Sequence, residues 1–77
     1  MKTIQEHDTV VLLRPLPEHG LQPGDIGAAV HCYSDDKALE VEFVAGSGET
    51  VAVVTLKRDD VRLMKEGEIL HVREMAA

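Results

Sequence analysis

The segment 21–33, Leu-Gln-Pro-Gly-Asp-Ile-Gly-Ala-Ala-Val-His-Cys-Tyr, restricts the fold more than any other part of the chain. Pro23 fixes φ and Gly24 accepts a positive φ at no steric cost, which suits a type II turn with Pro second and Gly third. Asp25 is expected to cap the turn through its carboxylate. A strand follows. Ile26, Ala28, Val30 and Cys32 fall on one face at period two, with Gly27, Ala29, His31 and Tyr33 on the other. The first face is wholly apolar and is expected to point inward. Gly27 within the strand marks a bulge, a sharp bend or a close approach by another backbone, as needed where a strand rounds the corner of a very small barrel.

The flanking segments supply the other strands. Residues 1–8 are polar and give no periodic signal, so they read as a frayed lead-in or a short edge strand. Residues 9–13, Thr-Val-Val-Leu-Leu, are apolar on both faces and predict a central or covered strand. Residues 14–20 hold two prolines and a glycine, cannot pair as a ladder strand and predict a long ordered loop pinned by Leu16 and Leu21. After a turn at 34–37, Ala38 to Val44 alternates cleanly: Leu39, Val41 and Phe43 inward, Glu40 and Glu42 outward. Ala45-Gly46-Ser47-Gly48 reverses the chain into a strand at 49–56 with Val51, Val53 and Val54. Residues 57–60 suit one helical turn, and 61–64 a short fifth strand. The tail, 68–75, is ambiguous: Leu70 and Val72 suit a sixth strand, whereas Ile69, Val72 and Met75 are spaced as on a helix. We read it as strand. The expected fold is all-β, a small SH3-like barrel of five to six short antiparallel strands with one helical turn before the fifth. A five-stranded oligonucleotide-binding barrel is the competitor, but it usually has a helix where this chain has only Ala-Gly-Ser-Gly.

At 77 residues the chain has room for one domain, residues 1–77, with a small core. No repeat, linker or low-complexity stretch divides it. Fourteen acidic against eight basic residues give a net charge of −6, with no cluster of Lys and Arg to neutralise a phosphate backbone. Nucleic acid is therefore not expected as a partner, and solubility is the plainer use of the acidity. Cys32 is the single cysteine, which excludes an internal disulfide and a multi-cysteine zinc site. The sequence shows no basic-then-apolar leader and no apolar run long enough to cross a membrane, so a cytoplasmic protein without a membrane partner is expected.

His7-Asp8-Thr9-Val10-Val11-Leu12, Leu16 to Leu21, Pro23-Gly24-Asp25-Ile26-Gly27, Glu40-Val41-Glu42-Phe43-Val44 and Gly48-Glu49-Thr50 together resemble the bacterial and cyanobacterial DUF4926 family. The resemblance covers roughly residues 7 to 62. That family has no known function, so the resemblance supports the fold and implies no activity and no site residue. The Pro-Gly-Asp-x-Gly opening is also similar to SH3-like barrels of KOW modules and of the nitrile hydratase beta subunit, an analogy of fold that does not fix function.

No constellation of residues amounts to a reaction. His7, His19, His31, His71 and Cys32 lack ligand spacing, and His31 and Cys32 point to opposite faces, so surface histidines are the plainer reading and no metal is expected. Cys32 reads as an inert core thiol. Glu40 and Glu42 read as a solvated strand face, and a filled barrel leaves little room for a pocket that shifts a pKa. No enzyme and no cofactor are predicted. With Tyr33 and Phe43 as the only aromatics, a proline-recognising groove and base stacking both fail on composition.

What remains is a small non-enzymatic protein-protein interaction module, an adaptor or accessory subunit. An antitoxin-like masking of a basic surface is one version of it. The expected contact residues are His19 and Tyr33 with Ile69, Leu70 and Val72 of the tail. The tail is read either as pairing across a two-fold axis to make a homodimer or as folding back over its own barrel. A small-ligand or regulatory module using the 14–25 loop and Tyr33 is the alternative, and a nucleic-acid binder ranks third.

Overall fold

The computed structural model describes residues 3–35 and 37–75. It is all-β. Five strands, β1 (Thr9–Leu12), β2 (Ile26–Cys32), β3 (Ala38–Val44), β4 (Thr50–Lys57) and β5 (Val61–Leu63), form one antiparallel sheet in the order β4-β3-β2-β1-β5. Two single 3-10 turns interrupt them, Pro17–His19 in the long loop and Arg58–Asp60 before β5. The meander β2-β3-β4, the return of β5 to β1 and the turn just before it are the SH3-like arrangement expected. The cylinder is not closed by hydrogen bonds, because β4 and β5 remain the two edges of an open sheet. No sixth strand and no helix form over the tail: residues 64–75 run without regular structure. Of the turn expected at 34–37, Asp36 lies outside the described residues, as do Met1 and Lys2 of the lead-in.

The Pro-Gly-Asp turn forms as its residue types demand. Gly24 has φ 96°, the amide of Asp25 donates to the carbonyl of Gln22 at 3.1 Å, and the Asp25 carboxylate accepts from the Gln22 amide at 2.8 Å. The turn is then stitched to the end of β1, with Gly24 donating to the Leu12 carbonyl at 2.8 Å and Leu12 to that of Asp25 at 2.9 Å.

The core is built from Val10 and Leu12 of β1, Leu16 and Leu21 of the loop, Leu39, Val41 and Phe43 of β3, Leu56 of β4 and Val61 of β5. The alternation read on β3 holds. On β2 the facing is corrected: Gly27 and Ala29 are the buried residues, whereas Ile26 and Ala28 are half-buried and Val30 is exposed. Gly27 must be bare because β3 crosses it closely. A Cβ there would stand 2.6 Å from Val41 Cγ1, and 3.0 Å from both the Glu42 carbonyl oxygen and Phe43 Cε1. The bulge falls elsewhere. Ala29 pairs with Val41 and His31 with Glu40, so Val30 is the extra residue and Cys32, opposite Leu39, regains the inner face. Cys32 is thus packed against the core by a register shift rather than by simple alternation.

The lead-in is also corrected. Ile4 is buried in the core, and its carbonyl accepts from Cys32 Sγ at 3.4 Å. A tight turn at 5–8, with His7 at φ 75°, carries the chain into β1, and His7 and Asp8 exchange backbone hydrogen bonds with Ala29 at 2.6 and 2.9 Å. Residues 3–8 of the lead-in are therefore tied to the core and form no strand.

Candidate functional site

The tail folds back as a strap, held at two points by arginine. At its start Arg62 of β5 donates from Nη1 and Nη2 to the two oxygens of Glu68 at 2.8 and 2.6 Å, and the Lys65 amide donates to the same carboxylate at 2.6 Å. Towards its end Arg73 meets Asp25 of the Pro-Gly-Asp turn, Nε to Oδ1 at 2.8 Å and Nη2 to Oδ2 at 2.5 Å, and also donates to the Gly20 carbonyl at 3.0 Å. Both pairs are bidentate, the geometry in which a planar guanidinium fixes orientation as well as charge.

Between the strap and the sheet lies a cleft of about 390 Å³. Leu21, Ile26, Phe43, Val44 and Val51 form its sheet side, and His71, Val72, Arg73 and Met75 its strap side. A second, shallower hollow of about 780 Å³ opens between residues 3–9 and the chain leaving β5, bordered by Asp8, Lys65 and Glu66. Among the described residues no three His, Cys, Asp or Glu side chains come together to hold a metal ion.

The five residues singled out in the sequence do not form one site. Ile69, Leu70 and Val72 lie on the strap and are 90, 66 and 87% exposed, so the strap crosses its own barrel without burying them. His19 is exposed on the 3-10 turn next to Gly20, on the side where Arg73 docks. Tyr33 stands apart. It follows β2 whereas Asp25 precedes it, which places the two roughly 25 Å apart along the strand direction. Its hydroxyl donates to Glu40 at 3.0 Å, which raises the phenol above its usual pKa, and its ring meets His31 edge-on at 4.8 Å. Glu40 also accepts from the Thr55 hydroxyl, and Glu42 from that of Thr50 at 2.6 Å. These carboxylates are occupied on the sheet face.

The two arginine anchors were not legible in the sequence. Asp25 read as a turn cap, which it is, but its second role depends on a residue 48 positions away. Arg62 and Glu68 alone carried a hint, as opposite charges flanking the Lys65-Glu66-Gly67 turn.

The anchors respond to acid. The Arg62 guanidinium, with help from the Lys65 amide, holds Glu68 down at about 2, and Arg73 lowers Asp25 from its ordinary range against a smaller opposing effect of burial. Both folded-state values lie below the unfolded ones. Their contribution is therefore complete above the unfolded carboxylate range, roughly pH 4 to 5, and is lost as pH falls through the folded values. A carboxyl-carbon NMR titration is expected to give a Glu68 midpoint near 2, returning to the ordinary glutamate range in Arg62→Ala. A wild-type midpoint in that ordinary range would show the pair does not persist in solution.

Residues 6–63 match the family described as Domain of unknown function (DUF4926). The chain belongs to the DUF4926 family. Comparison with curated proteins and with solved structures finds no match. The family match ends at β5, so the Pro-Gly-Asp turn and Asp25 lie within the matched DUF4926 region, while Glu68, Arg73 and the exposed apolar residues of the strap lie outside it. No described helix is long and apolar enough to cross a membrane.

Proposed function

We propose that this DUF4926 protein is a small non-enzymatic interaction module, an adaptor or accessory subunit, whose contact surface is the strap together with the loop beside it. The observation that carries this reading is the exposure of Ile69, Leu70 and Val72 on a segment held by two bidentate ion pairs. Ordering backbone costs roughly 1–2 kcal/mol per residue, and a strap that leaves its large apolar side chains in water regains little of that inside its own domain. A partner that buries them would supply the missing term, with Val44 and Met75 alongside as continuing apolar surface. His19 sits at the rim of this surface. Tyr33 belongs to a different end of the barrel and is left out of it. The net charge of −6 favours a partner with a basic rim, as an antitoxin-like role would require.

The test compares tagged wild-type chain with the triple variant Ile69→Ser, Leu70→Ser, Val72→Ser, expressed in the native host and recovered for mass spectrometry. The expected result is a stoichiometric protein recovered with the wild type and lost with the variant. Recovery of no stoichiometric protein in any growth condition, or equal recovery by both chains, would overturn the reading.

A second reading, a small-ligand module, is favoured by the cleft of about 390 Å³ under the strap, apolar on its sheet side with Asp25 and Arg73 at one end. A metabolite set that raises the melting temperature of the wild type but not of Val51→Trp, which fills the cleft, would support it. No shift with any compound would remove it.

A further inference from the structure

Beyond Glu68 a single side chain holds the strap closed. Among the described residues, no backbone amide or carbonyl of residues 69–75 is hydrogen-bonded to the barrel, and Arg73 is the only one of them that is half-buried rather than exposed. Its guanidinium engages two acceptors at once, the Asp25 carboxylate and the Gly20 carbonyl. Two residues on, the Met75 methyl lies over Gly20, where a Cβ would come within 3.1 Å of it. The apolar floor beside them, Leu21, Ile26, Phe43, Val44 and Val51, belongs to the barrel. Site and occupant fall on opposite sides of the family boundary: these barrel residues all lie within 6–63, and the strap lies beyond it.

A segment seated through its side chains alone is replaceable by another that carries the same side chains, because no ladder has to be broken first. We infer that the groove at Asp25 is a peptide-docking site which the strap fills in cis, and that its occupant in trans is an extended segment of a partner protein with an arginine followed two residues later by an apolar side chain. The arginine takes the Asp25 carboxylate and the Gly20 carbonyl, and the apolar side chain covers Gly20 as Met75 does. The chemistry of that segment is read from the occupant already present. Asp25 and the Gly20 carbonyl are acceptors arranged for a planar guanidinium rather than a point charge, and a chain of net charge −6 draws basic segments towards it. The pair is open to a competitor, since the Arg73 and Asp25 side chains keep 26 and 17% of their exposure. What favours the strap is its tether, which holds it at an effective concentration on the order of millimolar. The Arg62–Glu68 pair keeps the near end of that tether in place when Arg73 lets go. The inference rests on the interaction-module reading and deepens it by naming the contact chemistry of the partner.

An NMR titration of the full chain with a synthetic peptide of residues 69–75, Ile-Leu-His-Val-Arg-Glu-Met, tests this. The Arg73→Ala chain, whose latch is gone, is expected to bind the peptide with a submillimolar dissociation constant and to shift at Gly20 to Asp25 and at Phe43 and Val44. The wild type, its groove already filled, binds roughly tenfold more weakly. The peptide carrying Arg73→Gln binds neither chain, and the one carrying Arg73→Lys binds the Arg73→Ala chain roughly tenfold more weakly than the arginine peptide. Circular dichroism melts confirm that the variant chain is folded. No binding to the Arg73→Ala chain up to the millimolar range overturns the proposal, as does equal binding to variant and wild type, or binding indifferent to the arginine of the peptide. A wild type that sediments as a dimer at the titration concentration, with Arg73→Ala a monomer, also overturns it and gives the groove to the strap of a second copy. Failure of the interaction-module reading shows separately, in the protein recovered from the host with wild type and with the Ile69, Leu70, Val72 serine variant, a measurement that uses no peptide.

Discussion

Gly27→Val is expected to remove a large part of the folding stability, and Gly27→Ala a smaller part, about 1–3 kcal/mol. The atoms a Cβ would meet cannot withdraw. Val41 is fully buried, Phe43 is 2% exposed, and the Glu42 carbonyl belongs to the β3 backbone, which is paired on both sides. A chain of this length has roughly 4–12 kcal/mol in total, so the valine variant approaches the limit of a measurable folded baseline. Urea unfolding followed by circular dichroism reads the effect as a lower midpoint at unchanged slope. Ala28→Val, one residue on and half-buried towards the other face, is the control and is expected to change little. Equal midpoints for wild type and Gly27→Ala would show that β3 yields at this crossing, contrary to the packing described.

Leu16→Ala is the second large effect, about 2–5 kcal/mol, the range for deleting a buried leucine side chain into a core that relaxes incompletely. Leu16 lies in the long loop, yet it is 1% exposed and exchanges two backbone hydrogen bonds with Leu21, at 2.9 and 3.1 Å. The loop is thus a lobe of the core. Each kcal/mol lost lowers the melting temperature by roughly 4–8 °C in a domain this small. Hydrogen exchange distinguishes the origin: protection is expected to fall first in residues 14–25, including the Leu12–Asp25 stitch, and only later in the β3–β4 hairpin. A melting temperature unchanged by Leu16→Ala would mean the loop folds independently of the barrel.

The parts of this architecture legible in the sequence are those where one face of an element is large and apolar and the other is charged. β3 shows it plainly, since Glu40 and Glu42 leave Leu39, Val41 and Phe43 only one direction to point. The turn at Pro23-Gly24 was equally readable, because its backbone requirement is local. β2 was misread for a size reason. Its buried residues are Gly27 and Ala29, small because Val41 and Phe43 of β3 fill the space over them, and that complement lies on another strand. Ile4 was missed because a single apolar residue among polar ones carries no period. The candidate site was legible only in part. The apolar strap residues were evident as composition, whereas the Arg73–Asp25 contact that positions them is a pairing across the fold, invisible to any window along the chain.

The extra residue in β2, like Val51 in β4, gives its strand a tolerance for the loss of one residue. Because Val30 is the unpaired member where the ladder steps from Ala29 to His31, excising it alone would leave Gly27, Ala29 and Cys32 inside and His31 outside. Removing His31 instead would leave Val30, already exposed, in its outward place, and removing Ala29 would turn Val30 inward; in each case Gly27 and Cys32 keep their facing. A one-residue loss in β2 is thus absorbed at the bulge, and homologues one residue shorter through this stretch are expected to pair there without a register step.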